Sequence, residues 1–156
     1  MHITIVAVGQ KLPAWAQTAV DDYLARFPRD FTVIVKEVKA EARTGGKPVA
    51  QVMAAEAERI ERAVPAGDIL VAMDEHGRDM TTVDFSKKIS AWKSEGCGVT
   101  FIIGGADGLD PALKAKSRMM LRLSSMTLPH AFARVLLTEQ IYRAWSILAN
   151  HPYHRV

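Results

Sequence analysis

The chain has 156 residues, of which 49% are hydrophobic and 24% are charged, and these proportions are typical of one folded domain. They exclude a disordered or collagen-like protein, so we treat residues 1–156 as a single domain. The longest apolar runs have five residues, whereas a membrane helix needs about 20, so no span and no membrane partner are predicted. A single cysteine, Cys97, excludes an internal disulfide and is consistent with a cytoplasmic protein.

The net charge of +3 is unevenly distributed along the chain. Residues 114–156 contain seven basic residues and one acidic residue, which makes this segment +6 and leaves −3 on residues 1–113. Three of the five histidines also lie in the last segment. This asymmetry indicates an anionic partner near the C-terminus, although an ordinary solvated surface would give the same count.

Strand and helix patterns alternate along the chain. Runs of β-branched and apolar residues predict five strands, at residues 2–8, 31–38, 69–73, 99–103 and 119–123. Helical spacing of apolar residues predicts five helices, at residues 14–27, 49–64, 83–95, 111–117 and 130–148. Thr81 or Thr82 is predicted to cap the third helix, and Asp110 the fourth. The alternation predicts an α/β domain with a mainly parallel sheet and helices on both faces.

Ligands of such sheets bind beyond the carboxyl ends of the strands, which selects the loops Asp74–Gly77, Gly104–Asp110 and Ser124–Pro129. The glycine-rich turn Gly104–Gly108 matches neither the dinucleotide nor the phosphate-loop motif, so a purely structural turn is the simpler interpretation. The run Leu123–His130 is suited to a flat ligand with polar edges. This run is equally compatible with a loop whose serine and threonine side chains hydrogen-bond to the local backbone before the helix.

The last predicted helix has two apolar flanks. Glu139 and Arg143 are four residues apart and are expected to form an ion pair on its surface. An amphipathic surface helix normally has one apolar stripe, so two flanks predict burial against both the sheet and a second subunit. The alternative is a helix buried wholly within one chain.

The chain closes with His151, Pro152, Tyr153, His154 and Arg155, an unusual composition for a frayed end. Histidine and tyrosine stack on unpaired bases, and arginine binds phosphate, so this tail is a candidate RNA contact. A metal site at His151 and His154 is the rival interpretation, but no third ligand is evident and we assign no metal.

Five segments taken together resemble a known family: Val6–Gly9, Ile102–Leu109, Leu123–His130, Glu139–Trp145 and Asn150–Arg155. Their order and spacing are similar to those of the ribosomal RNA large-subunit methyltransferase H family of the SPOUT class, over essentially the whole chain. The resemblance implies an α/β domain with a C-terminal trefoil knot. It also implies a homodimer in which each cofactor pocket lies at the knot beside the partner subunit.

The same resemblance implies an activity, a cofactor and a substrate. The family uses S-adenosylmethionine to methylate N3 of a pseudouridine in a hairpin loop of large-subunit rRNA, in the assembled ribosome. Carried over by position, the cofactor contacts are Met73, Gly104, Gly105, Leu123, Ser124, Ser125, Met126, Thr127 and Leu128. Family members often have leucine at position 73, and methionine is expected to serve equally because both residues are apolar and unbranched at Cβ.

The reaction needs a base for the N3 proton. His154 is the first candidate and His130 the second, with transfer to water as the alternative. Tyr153 is expected to stack on or border the flipped target base, and Arg155 to hold phosphate. Further RNA contacts are assigned to His151, and to Arg134 and Arg143 on a surface that faces RNA or the partner.

Two other classes of function remain open at this point. One is a non-catalytic RNA-binding or ribosome-associated factor with the same fold. The other is an enzyme acting on a small nucleotide, for which weak dependence on salt would be diagnostic because phosphate-backbone contacts weaken steeply with salt.

Overall fold

The computed structural model describes residues 1–9 and 11–155. Five parallel strands form one sheet in the order β2-β1-β4-β3-β5. The strands are β1 (His2–Val8), β2 (Thr32–Val38), β3 (Ile69–Arg78), β4 (Val99–Ile103) and β5 (Met119–Leu121). The helices are α1 (Ala14–Leu24), α2 (Val49–Ala63), α3 (Thr82–Ser94), α4 (Pro111–Lys116) and α5 (His130–Leu148), with 3₁₀ turns at Thr44–Gly46 and Pro152–His154.

Alternation along the strands explains why helices cover both faces of the sheet. Ile3 and Ile5 of β1 pack into the core beneath α3 and α5, whereas Val6 and Val8 pack into a second core beneath α2 and α4. Successive side chains of a strand point to opposite faces, so a central strand that is buried on both sides has a continuous apolar sequence. The predicted fold class is therefore confirmed, and the trefoil knot stays a prediction.

Helix α5 occupies the middle of its layer. It packs against α1 on one side and α3 on the other, and Leu137, Ile141 and Ala144 point into the core. Thr81 caps α3 by accepting a hydrogen bond from the backbone N–H of Asp84 at 3.1 Å, as predicted. Asp110 is the N-cap residue of α4 and Pro111 its first residue, as predicted, although the Asp110 side chain makes no capping hydrogen bond.

The prediction of a loop at residues 74–77 is also wrong. Strand β3 continues through them to Arg78, and its pairing with β5 changes register between Met73 and Arg78. Gly77 makes this possible because a Cβ atom there would lie 2.7 Å from the carbonyl carbon of Leu121. The neighbouring strand β5 ends at Leu121, whereas the sequence predicted that it would end at residue 123. Residues 122–129 are thereby released to form a loop.

Among the described residues, no helix is long and apolar enough to cross a bilayer.

Candidate functional site

A cavity opens at the carboxyl edge of the sheet, where β3, β4 and β5 end. Ile103 from β4 and Ala133 from the first turn of α5 form part of its wall. Six of the nine predicted cofactor residues line it, and these are Met73, Leu123, Ser124, Met126, Thr127 and Leu128. The loop 122–129 therefore contributes five of the predicted cofactor residues to one cavity. Its polar backbone and its apolar side chains surround one space.

The remaining three predicted cofactor residues, Gly104, Gly105 and Ser125, are not part of this lining. The chain folds back after β4, and the N–H of Gly108 donates to the carbonyl of Gly105 at 3.0 Å. A Cβ at Gly104 would lie 2.5 Å from the carbonyl carbon of Gly108. This tight turn needs a glycine for its own packing, which favours the structural interpretation of the turn.

Two acidic residues at the cavity were not named from the sequence. Asp74 lines it and accepts hydrogen bonds from the backbone N–H of His76 at 2.8 Å and from Lys114 Nζ at 3.0 Å. Burial alone would raise the pKa of Asp74, but these bonds outweigh it and hold the pKa below its usual value. Glu75 lines the cavity beside it. The wall at this point is therefore negatively charged.

Arg122 lines the cavity but is held by a bidentate ion pair. Its Nε and Nη2 donate to the two carboxylate oxygens of Asp79 at 2.6 and 2.7 Å. The hydrogen bond from Arg122 lowers the pKa of Asp79 and raises that of Arg122. The pair joins the cavity loop to Asp79, the residue that follows β3. It leaves the guanidinium little freedom to bind phosphate.

Substitution of Gly77 tests whether the cavity depends on the close packing of β3 against Leu121. A methyl group at residue 77 would press on Leu121, so Gly77→Ala is expected to cost about 1–3 kcal/mol of unfolding free energy and to weaken cofactor binding. Gly67→Ala is the control for crowding, because no atom lies within 4 Å of its added carbon, although its φ of 83° brings a backbone strain that Gly77 does not have. Denaturant unfolding and calorimetry would measure both effects. Equal cofactor affinities in the two variants would contradict the expectation.

Arg134 is not on a surface, and the prediction that it faces RNA or a partner is wrong. Its side chain is 2% exposed, with Nη1 donating to Glu37 at 2.7 Å and Nε donating to His130 Nε2 at 2.9 Å. Burial first, and then the charge of Arg134, lower the pKa of His130, while Glu37 opposes this. His130 is therefore a neutral ring whose Nε2 lone pair is occupied.

The tail is folded against the end of α5. Asn150 adopts a left-handed backbone (φ 54°), and the chain then turns back toward Ser146. The Ser146 hydroxyl donates to the carbonyl of His151 at 2.9 Å and lies 2.9 Å from His154 Nδ1. Arg143 Nη1 donates to the carbonyl of His154 at 3.1 Å. The five-residue motif is thus an ordered structure, as its composition suggested.

Tyr153 is held within an aromatic cluster. Its hydroxyl donates to Glu139 at 3.0 Å and lies 3.0 Å from the hydroxyl of Tyr23, while its ring packs edge-on against Tyr142 at 4.7 Å. Burial, followed by the hydrogen bonds of Tyr23 and Glu139, raises the pKa of Tyr153. The predicted Glu139–Arg143 ion pair is present at 2.7 Å. Tyr153 therefore anchors the tail and has limited freedom to stack on a base.

Most of the basic residues at the C-terminal end are neutralised by acidic residues of the rest of the chain. Lys114, Lys116, Arg118, Arg122 and Arg134 pair with Asp74, Glu61, Glu95, Asp79 and Glu37, and Arg143 pairs with Glu139. Within the described part of the chain, Arg155 makes no such pair. Most of the positive charge of the C-terminal segment is therefore compensated within the chain, and among its basic residues in the described part Arg155 is the one left for an external anion.

An apolar strip remains exposed beside the first half of α5. Phe132 and Leu136 are 48% and 37% exposed, and the ring of Phe132 packs at 4.9 Å on Trp15 of α1, which is 51% exposed. Leu128, which lines the cavity, lies four residues before Phe132 in the sequence. Of the two predicted apolar flanks of α5, one is buried against the sheet and the other keeps this exposed strip.

No three His, Cys, Asp or Glu side chains come together as a metal-binding group in residues 1–9 and 11–155. His151 Nδ1 accepts a hydrogen bond from the backbone N–H of Tyr153 at 3.2 Å. The tail histidines are thus engaged in local contacts.

The fold agrees with comparisons to known proteins. A family model described as a predicted SPOUT methyltransferase matches residues 1–154. A structure described as a probable methylase family protein from Haemophilus influenzae Rd KW20 superposes with a TM-score of 0.60, at 15% identity over 95% of this chain and 68% of that one. This likeness concerns the fold alone.

Full-length relatives narrow the assignment. The chain is 55% identical to the ribosomal RNA large subunit methyltransferase H of Bordetella avium, over 99% of both chains. It is 53% identical to the protein of the same name from Ralstonia pickettii, over 100% of both chains. The chain therefore belongs to the SPOUT methyltransferases and, within them, to the ribosomal RNA large subunit methyltransferase H family.

Proposed function

We propose that this protein is a homodimeric enzyme that uses S-adenosylmethionine to methylate N3 of a pseudouridine in large-subunit rRNA, within the assembled ribosome in the cytoplasm. The cavity at the carboxyl edge of the sheet carries the proposal, because six side chains expected from the family resemblance line one space there. The relatives' name supports the class of substrate.

The cavity suits the proposed cofactor chemically. Met73, Leu123 and Leu128 offer apolar surfaces to the faces of an adenine ring, and the backbone of the loop 122–129 offers donors and acceptors to its edge. Asp74 and Glu75 place negative charge where a sulfonium and an ammonium group would be bound. The cofactor would supply the methyl group, and these residues would orient it.

The position of the tail supports a site shared between two subunits. Ala133 lines the cavity and Ser146 holds the tail, and 13 residues of helix separate them, which corresponds to roughly 20 Å. His154, which Ser146 holds, therefore lies far from the cavity of its own chain. We propose that the tail of one subunit completes the cavity of the other, with the strip Trp15, Phe132 and Leu136 buried at the interface.

Of the two candidate bases, His154 is preferred. Arg134 occupies the Nε2 lone pair of His130, and that ring is kept neutral in a buried network. His154 lies in the tail beside Arg155, which is exposed and able to hold a phosphate. His151 is also exposed and is the second candidate for RNA contact, whereas Arg143 supports the tail and reaches RNA only indirectly.

The test is a methyl-transfer assay on ribosomes from cells that lack this modification. Purified protein with labelled S-adenosylmethionine is expected to label large-subunit rRNA, and mass spectrometry of the digested RNA is expected to place the methyl group on N3 of a pseudouridine. Label no greater than that of heat-inactivated protein would contradict the proposal. Labelling of another nucleoside would retain the methyltransferase and refute the target.

The rival is a non-catalytic ribosome-associated factor with the same fold. Isothermal calorimetry distinguishes it, since such a factor would bind ribosomes without binding S-adenosylmethionine. Turnover of a small nucleotide without RNA, insensitive to salt, would instead favour a nucleotide enzyme.

A further inference from the structure

Ser146 stands out because one buried hydroxyl serves three partners in the tail. The residue is 0% exposed. Its Oγ lies 2.9 Å from the carbonyl oxygen of His151, 3.2 Å from the backbone nitrogen of His154 and 2.9 Å from His154 Nδ1. Nothing in its sequence position, on the polar side of α5, indicates this role.

The hydrogen-bonding capacity of these groups determines where each proton lies. A serine hydroxyl has one proton to donate and two lone pairs to accept with. The carbonyl of His151 can only accept, so it takes the hydroxyl proton, and the backbone N–H of His154 can only donate, so it uses one lone pair. The remaining partner of the oxygen is His154 Nδ1, which must therefore carry a proton.

We propose that Ser146 is a positioning residue that holds His154 as the Nδ1–H tautomer and so leaves the lone pair of Nε2 free to act as a base. This inference rests on the proposed function for its catalytic consequence. The hydroxyl also fixes the direction of the ring, because a second hydrogen bond joins it to the backbone of the same residue. In His130, by contrast, the Nε2 lone pair is not free, because it accepts a hydrogen bond from Arg134.

In the reaction, His154 Nε2 takes the proton from N3 of the pseudouridine. The electron pair of N3 forms the bond to the methyl carbon, and the electron pair of the breaking carbon–sulfur bond stays on sulfur, which becomes a neutral thioether. The imidazolium that results keeps its Nδ1–H bond to Ser146 and returns the Nε2 proton to water.

Nitrogen-15 NMR of the histidine side chains tests the tautomer in the free wild-type protein, without RNA or cofactor. We expect the neutral His154 ring to be protonated at Nδ1, and Ser146→Ala to remove that preference. Ser86→Ala is the matched control: Ser86 is also buried, and its hydroxyl donates to the backbone carbonyl of Val83 at 2.7 Å. A wild-type ring protonated at Nε2 would overturn the proposal, even if Ser146→Ala failed to fold.

Kinetics test the consequence. Ser146→Ala is expected to lower kcat about tenfold or more, with an unchanged KM for ribosomes, since a general base contributes about 10²–10⁴-fold. The variant that combines Ser146→Ala with His154→Ala should be no slower than His154→Ala alone. Additive losses, or a full kcat in Ser146→Ala, would overturn the proposal. An inactive wild-type enzyme would instead refute the proposed function and leave the tautomer result standing.

Discussion

Removal of residues 151–156 is expected to lower rRNA methylation at least about a hundredfold, the lower end of what a general base contributes. The deletion removes His154 and Arg155 but leaves the cavity, which lies roughly 20 Å away along α5. Affinity for S-adenosylmethionine should therefore change little. Single-turnover methylation and calorimetry would measure the two quantities, and an active deletion variant would exclude a role for the tail.

The same deletion tests whether the tail acts on the partner subunit. A full-length chain with Ala133→Trp keeps its tail but fills its own cavity, and the deletion chain keeps its cavity but has no tail. Random exchange between two such dimers gives one complete site in half of the molecules, so roughly a quarter of wild-type activity should return. Exchange without any recovery would show that each tail serves the cavity of its own chain.

Glu37→Gln is expected to lower the free energy of unfolding by about 2 kcal/mol, less than the ~3–5 kcal/mol cost of breaking a fully buried ion pair, because Glu37 itself is 40% exposed. Arg134 is 2% exposed and its charge is compensated by Glu37 at 2.7 Å. The amide can still accept a hydrogen bond but carries no charge, so a buried cation would remain unpaired. Urea unfolding at a fixed protein concentration measures the effect, because the proposed dimer would make stability depend on concentration.

Asp79→Asn is the control for this experiment. It neutralises a carboxylate that is bonded just as closely to an arginine, Arg122, but whose side chain is 66% exposed. Exposed ion pairs contribute about 0–1 kcal/mol, so the loss should be small. Similar losses in the two variants would mean that burial of Arg134 does not decide its contribution.

The inner strands of the sheet were predictable because they are buried on both faces. Strands β1 and β4 begin and end at the predicted residues, since continuous β-branched runs bounded by glycine leave few other assignments. The extension of β3 through His76 was not predictable. It depends on the close approach of Gly77 to Leu121, a residue more than 40 positions away in sequence.

The position of the cavity could be predicted in outline from the arrangement of the strands. Parallel strands bring their carboxyl ends together, so the loops after β3 and β5 had to meet, and Met73 and Leu123 do line one space. Asp74 was in a selected segment but was not recognised as part of the wall, and its partner Lys114 on α4 is 40 positions away in the sequence.

The sequence by itself determined the fold class, the edge of the sheet at which the cavity opens and, through its order of motifs, the family. Local patterns and motif spacing contain this information directly. Only the tertiary structure decided which polar residues form ion pairs and hydrogen bonds within the chain. Arg134 is enclosed with Glu37 and His130, six of the seven C-terminal basic residues pair with carboxylates, and Ser146 takes His154 as its partner. Charge and hydrogen-bonding capacity are properties of a residue, but their availability to a ligand depends on neighbours that the fold brings from distant positions.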